Sequence, residues 1–202
     1  NPVLVSTRDN GIPIFPTREG YNYVITGVEV DDEIMLLDAT SIYGTVNVLP
    51  LRVLNWEGRM IKKDGSSVMV NLYPKVTALE TVYLNVKLGD NGNLAGEFRS
   101  IKTGHDALNY RIEYNGGKED EFIETSENKF GGMEILDFKV SNNTDLTQSV
   151  IESYKFKKDN EVEVIGDRMY FSPLFFLRTK ENPFKLEKRE FPVDFGYASE
   201  NK

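Results

Sequence analysis

Few residues in this chain could do chemistry, and the absences narrow the field most. The 202 residues contain no Cys and one His, His105. A thiol nucleophile is therefore impossible, and so is a thiolate zinc site, which wants four nitrogen or sulfur ligands. Any Ser-His-Asp relay would have to run through His105. Its place at the start of a helical segment, with no ligand pattern around it, reads as a surface or packed residue. Asp38 is more suggestive. It stands in Leu36-Leu37-Asp38-Ala39-Thr40, at the end of an apolar strand and one strand across from Tyr21-Asn22-Tyr23. The plain reading of Asp38 is a cap on the loop that follows. The acidic runs Asp31–Glu33 and Glu119–Glu121 could in principle face Ca²⁺, but neither has EF-hand spacing or a bidentate Glu at the right offset. They read as a solvated turn and a dipole-favoured first helical turn. No metal and no cofactor is expected. No Walker loop, G-x-G-x-x-G or G-x-S-x-G occurs. Asn142-Asn143-Thr144 fits the N-glycosylation triplet. Trp56, Tyr43 and Tyr73 are the aromatic residues that could form a sugar- or peptide-binding platform, against the ordinary alternative of filling the core or a seam.

The elements that must carry these residues are mostly strands. Val3–Val5 is a short β-type run before the turn cluster at 7–11, and Ile12–Pro16 is extended and Pro-broken. Tyr21–Val30 is β-branched and aromatic, Asp31–Glu33 turns, and Ile34–Leu37 returns, so the pair is a hairpin. The near-continuous apolarity of Ile34–Leu37 predicts burial on both faces. Residues 41–66 are loop-like, Val68–Leu72 is a strand, and Pro74 stops it. Thr81–Leu88 and Leu94–Ile101 alternate around Asp90-Asn91-Gly92-Asn93, a strong hairpin signal. Thr103 is placed to cap a helix over 104–114, with Leu108 and Ile112 on one face. A second helix covers 118–130, with Phe122, Ile123 and Phe130 as its stripe. Strands follow at Met133–Ser141, Ser149–Phe156, Glu161–Ile165 and Met169–Phe171, then one helical turn at Leu174–Leu177. Phe191–Tyr197 reads as a strand approach, and 198–202 stop without a capping element. A boundary near 74–80 would separate residues 1–74 from 75–202. The class is α+β, mainly β: a hairpin unit followed by a β-sandwich-like domain with two inserted helices.

Composition bounds the rest. A chain of this length buries about 70% of its unfolded surface, so it needs neither disulfide nor metal to fold. With 40% hydrophobic and 11% aromatic residues it is no disordered tail. A net charge of −8, from 24 basic and 32 acidic residues, argues against a general nucleic-acid binder. No apolar run approaches the ~20 residues of a membrane span. The abrupt ends read equally as a piece of a longer protein or as a mature chain with its leader removed. In the former case apolar surface at 1–20 would seek cover, for example from a second copy.

Several words resemble the transglutaminase-like proteins of the Gram-negative cell envelope. They are Pro2–Arg8, Tyr21–Ile25, Leu36–Thr40, Leu49-Pro50 through Leu54-Asn55, Gly58-Arg59, Glu181–Lys185 and Phe191–Tyr197, scattered over the whole length. The last two are the most specific. The resemblance implies that residues 1–74 are the C-terminal part of a transglutaminase-like unit, and that 75–202 are the β-rich domain of unknown function behind it. In catalytic members Asp orients His, and His activates a Cys that here would lie upstream of residue 1. The relay Asp position is Asp38, and the relay His position holds Tyr23. A slip of one residue would put Asn22 there, also no base. A phenol keeps its proton to about pH 10 and makes a poor general base near neutrality. The expectation is a non-catalytic accessory or binding module, its partner the rest of its own parent chain, a peptide or a glycan. The second expectation is a fragment of an active thiol peptidase or acyl transferase. The resemblance alone points to the periplasm or cell envelope.

Overall fold

In the computed structural model, residues 1–13, 15, 19–89, 91–178, 188 and 193–202 are described. The word at 181–185, the first two residues of 191–197, Asp90 of the hairpin turn and part of the 12–16 segment lie outside them. Two five-stranded sheets carry the fold. The first is built from β1 (Pro2–Val5), β2 (Tyr23–Val30), β3 (Glu33–Leu37), β4 (Glu57–Ile61) and β5 (Ser67–Asn71), in the order β3-β2-β1-β4-β5 and antiparallel throughout. The β2–β3 turn is Asp31–Asp32, both at positive φ (47° and 65°), the twist a two-residue hairpin demands. That explains the acidic pair without a metal. Period-two alternation sends Val3, Val5, Ile25, Leu36, Met60 and Val70 to one face, where Leu49, Val53 and Leu54 of the long connector close over them. Close packing at this face admits no side chain at two places. A Cβ on Gly58 would stand 2.7 Å from Val3, and one on Gly27 2.8 Å from the Met60 sulfur.

Three expectations change here. The stretch 41–66 is not all loop, because β4 pairs with both β1 and β5 inside it. Its Gly58, a strand-breaking signal in sequence, is what lets β4 approach Val3. Ile34–Leu37 is not buried on both faces: β3 is an edge strand, and only Leu36 is fully covered. Residues 1–20 need no second copy to cover their strand, since Val3 and Val5 are wholly buried by their own sheet, although Ile12 and Phe15 remain exposed.

The second sheet comprises β6 (Ala78–Leu88), β7 (Leu94–Lys102), β8 (Glu134–Ser141), β9 (Val150–Lys158) and β12 (Ser199–Asn201), in the order β12-β6-β7-β9-β8. A small hairpin, β10 (Glu163–Ile165) with β11 (Arg168–Tyr170), stands apart from it. Two helices, α1 (Gly104–Asn115) and α2 (Glu119–Lys129), cover one face. The α+β, mainly β class is as expected, and the layer opposite this sheet is helical. Phe98, Tyr154, Phe156 and Ile135 meet Ile123 and Phe130 in its main core, while Ala107, Tyr110 and Phe122 pack on Val150 and Val140. On α1, Leu108 is buried but Ile112 is 46% exposed. The helix turns His105, Ala107, Leu108, Tyr110 and Arg111 inward instead. The chain end also departs from expectation. Residues 199–201 form β12, parallel to β6 in register Ser199↔Ala78. Alternation gives no hint of so short and polar a strand. No helix among the described residues is long and apolar enough to cross a membrane.

Beneath α1 the inward face of this sheet carries charge. Lys102 lies 3.0 Å from both Glu80 and Glu152, and donates to Ser100 Oγ at 2.7 Å while Ser100 donates to Glu80 at 2.7 Å. The Tyr110 ring caps the ammonium at 4.7 Å. Burial pushes the Glu152 carboxyl above its ordinary range, with Lys102 opposing. The cluster holds together only while the cation is present. Lys102→Ala should therefore destabilise the chain by about 3–5 kcal/mol in urea unfolding. Adding Glu152→Gln should recover part of that loss; a single variant of near wild-type stability would refute the assignment.

Candidate functional site

Asp38 follows directly on β3, and its side chain is 1% exposed. Burial of a carboxylate demands donors, and three elements supply them. The chain turns immediately, so the Thr40 amide (2.9 Å) and Thr40 Oγ1 (2.8 Å) donate to Oδ1. From β2 the Tyr23 hydroxyl reaches both carboxylate oxygens, at 3.1 and 3.0 Å. From the connector Arg52 Nη2 donates to Tyr23 Oη at 2.8 Å and Thr40 Oγ1 at 2.9 Å, with Asp38 Oδ2 at 3.4 Å. Tyr23 and Thr40 hydroxyls also contact one another. Tyr23 thus donates to the carboxylate and accepts from the guanidinium, whose carbon stands 5.2 Å from its ring centroid. The pair read from sequence meets in space. Asn22 points elsewhere, exchanging hydrogen bonds with Thr7.

This arrangement orients a phenol and neutralises a buried charge. It contains no imidazole or thiol that could relay a proton or attack an acyl group. Thr40 and Arg52 both lie within stretches that carry the resemblance, 36–40 and 49–55, but neither is singled out there as a partner of Asp38. Arg52 stands 14 residues from Asp38 in a segment read as loop, and no local pattern marks it.

His105 does not join this site. Asp38's donors among the described residues are Tyr23, Thr40 and Arg52, whereas His105 is 2% exposed at the seam between the two sheets. Its ring stacks on Tyr197 with centroids 4.7 Å apart, donates to the Leu49 backbone carbonyl, and leaves Nε2 without a partner among the described residues. Tyr197 packs against the first core and donates to Asp106 at 3.2 Å, while Asn109 donates to it at 2.8 Å. Just before it, Asp194 accepts from Arg8 at 2.9 Å and from Tyr73 at 3.2 Å. The 193–201 segment therefore ties the two units together, so residue 197 belongs in part to the first core.

The other candidates disperse. Trp56 is 49% and Tyr73 39% exposed. Neither makes a ring contact with the other or with Tyr43 among the described residues. The Asn142 amide of the glycosylation triplet is engaged, donating to Ser149 O at 3.0 Å. No group of three or more His, Asp or Glu side chains among the described residues is arranged to hold a metal ion. The fold and site define a mainly β, α+β protein with a Tyr–Asp–Arg cluster around a buried carboxylate. No family model, curated protein or solved structure matches the chain.

Burial pulls the His105 imidazole below its ordinary value of 6.5, with Asp106 opposing. A depressed histidine binds more protons unfolded than folded, so its contribution is intact above about pH 6.5 and lost as pH falls through that value. His105→Phe keeps a stacking ring without the titration. The stability difference between wild type and this variant should shift in the variant's favour from pH 7.5 to pH 5, measured by urea unfolding; a constant difference would exclude the seam histidine as the cause.

Proposed function

We propose that the chain is a non-catalytic accessory or binding module of a transglutaminase-like protein of the cell envelope. In that reading residues 1–74 are the C-terminal part of the transglutaminase-like unit, and 75–202 the domain behind it. One observation carries the reading. Tyr23 and Asp38 occupy the relay His and Asp positions that the sequence resemblance assigns, and the hydroxyl of Tyr23 is hydrogen-bonded to the carboxylate where an imidazole nitrogen would serve. With the phenol donating to Asp38 and accepting from Arg52, the position supports orientation rather than proton transfer. The absence of any Cys supports the same reading for this chain. Its partner would be the rest of its parent chain, a peptide or a glycan, and its compartment the periplasm or envelope.

The test is an amide-hydrolysis and acyl-transfer assay of the full-length product of the gene that encodes this chain, beside its Asp38→Asn variant. The expected result is no turnover above the uncatalysed rate in either. Turnover in the parent that Asp38→Asn abolishes would overturn the proposal and favour an active thiol enzyme with its Cys upstream.

A further inference from the structure

We propose that the outer face of the second sheet, the side away from α1 and α2, binds an anionic polysaccharide, a chain of carboxylate-bearing sugars. The inference rests on the binding role proposed above and gives it a surface and a ligand class. Two clefts lie on this face, with volumes of about 990 and 320 Å³, and they adjoin through Asn85, Glu97 and Lys155. The larger reaches the upper end of the ~300–1,000 Å³ range of organic-ligand sites.

Strand register composes the face. One row runs Tyr83, Arg99, Ser153, Lys139 across β6, β7, β9 and β8. Two residues along the strands the row is Asn85, Glu97, Lys155, Leu136, and two further on it is Lys87, Ala95, Lys157. Ser153 therefore stands between the cations Arg99 and Lys139, and Ala95 between Lys87 and Lys157. A small floor residue with a long cation on either side makes a notch for an oxyanion; strand spacing sets the two flanking backbones about 10 Å apart. The two notches are four residues apart along the strands, about 14 Å. That spacing suits a polymer with repeated charges rather than one small anion. A bulge between Leu136 and Lys139 shapes the edge. Asp137 is the extra residue, at φ 51°, so Leu136 and Lys139 both keep to this face while Phe138 packs inward.

Charge and chemistry name the ligand class. Five cations and two carboxylates line the clefts, in a chain of net charge −8. One of those carboxylates, Asp137, is taken by Lys155 at 2.8 Å, and Lys157 pairs at the margin with Glu134 at 3.5 Å. Lys87, Arg99 and Lys139 have neither an ion pair nor a side-chain hydrogen bond among the described residues. Tyr83, 57% exposed, stands beside Arg99 in the first row. Its ring offers an apolar surface to the C–H side of a sugar. Its hydroxyl, the Asn85 amide and the Ser153 hydroxyl are unengaged among the described residues and can serve sugar hydroxyls. The floor strands β7 and β9 are paired on both sides. Their backbone groups are committed to the ladder and offer nothing to a peptide main chain. A sugar chain asks only for side chains and a ring.

The probe is an oligogalacturonate, titrated calorimetrically into the whole chain at low salt. It is compared with the same oligomer after reduction of its carboxylates to alcohols, and with polyglutamate. Saturable binding of the oligogalacturonate is expected, weakened by added sodium chloride and lost on carboxylate reduction. Arg99→Gln combined with Lys139→Gln should weaken it by about tenfold or more. Tyr83→Ala should weaken it too, while Tyr83→Phe keeps most of the affinity. These three side chains are exposed, so the variants retain the fold. Lys62→Gln combined with Lys63→Gln removes the same charge from the first unit and should leave the affinity unchanged. No saturable binding, an equal loss in that control, or polyglutamate binding as tightly would overturn the proposal; the last result assigns the face to an acidic peptide. Absence of binding would reject this surface and leave the non-catalytic reading standing, whereas turnover in the parent chain would reject that reading alone.

Discussion

A carboxylate with 1% of its side chain exposed cannot remain charged in a protein interior unless donors surround it. Asp38 imposes that constraint on the first unit. The turn to Thr40, the inward aim of Tyr23 and the return of the connector at Arg52 all answer it. The connector that brings Arg52 also carries Leu49, Val53 and Leu54 onto the core face. One connector therefore both satisfies the carboxylate and closes the hydrophobic core. A side chain held in this way is engaged in structure, which is the physical root of the non-catalytic reading.

The second unit depends on α1 in a comparable way. The helix rests Tyr110 on the Lys102 ammonium, anchors the 142–148 loop through Arg111, and sends His105 to the seam. Tyr197 completes the seam by touching the first core and α1 together. Among the described residues, polar and aromatic groups on α1 and the 193–201 segment, Tyr197 on the first core included, join the units.

Much of the fold was legible because it rests on local signals. Alternation found β6 and β7, the Gly116-Gly117 break separated α1 from α2, and apolar strands found β2 and β3. What escaped depends on distant partners. Leu108 and Ile112 share a helical face by spacing, yet the direction of burial is set by the sheet beneath the helix and by Leu49 of the connector, which no window around α1 contains. β12 forms because β6 offers an edge. Thr103 is a good cap by type, but Leu79 claims its hydroxyl. At the candidate site Asp38 and Tyr23 could be read as neighbours from the hairpin. Arg52 could not, since only the fold of the connector brings it there. The charges at Glu80, Lys102 and Glu152 were visible as breaks in apolar alternation, a signal that sequence reading passed over.

The claim on which this account turns is that the Tyr23 hydroxyl is the working partner of a buried Asp38. A double-mutant cycle of Tyr23→Phe and Asp38→Asn, read by urea unfolding, measures that partnership directly. The account predicts a coupling of about 1–3 kcal/mol between the two positions. Losses that add to within about 0.5 kcal/mol would contradict it.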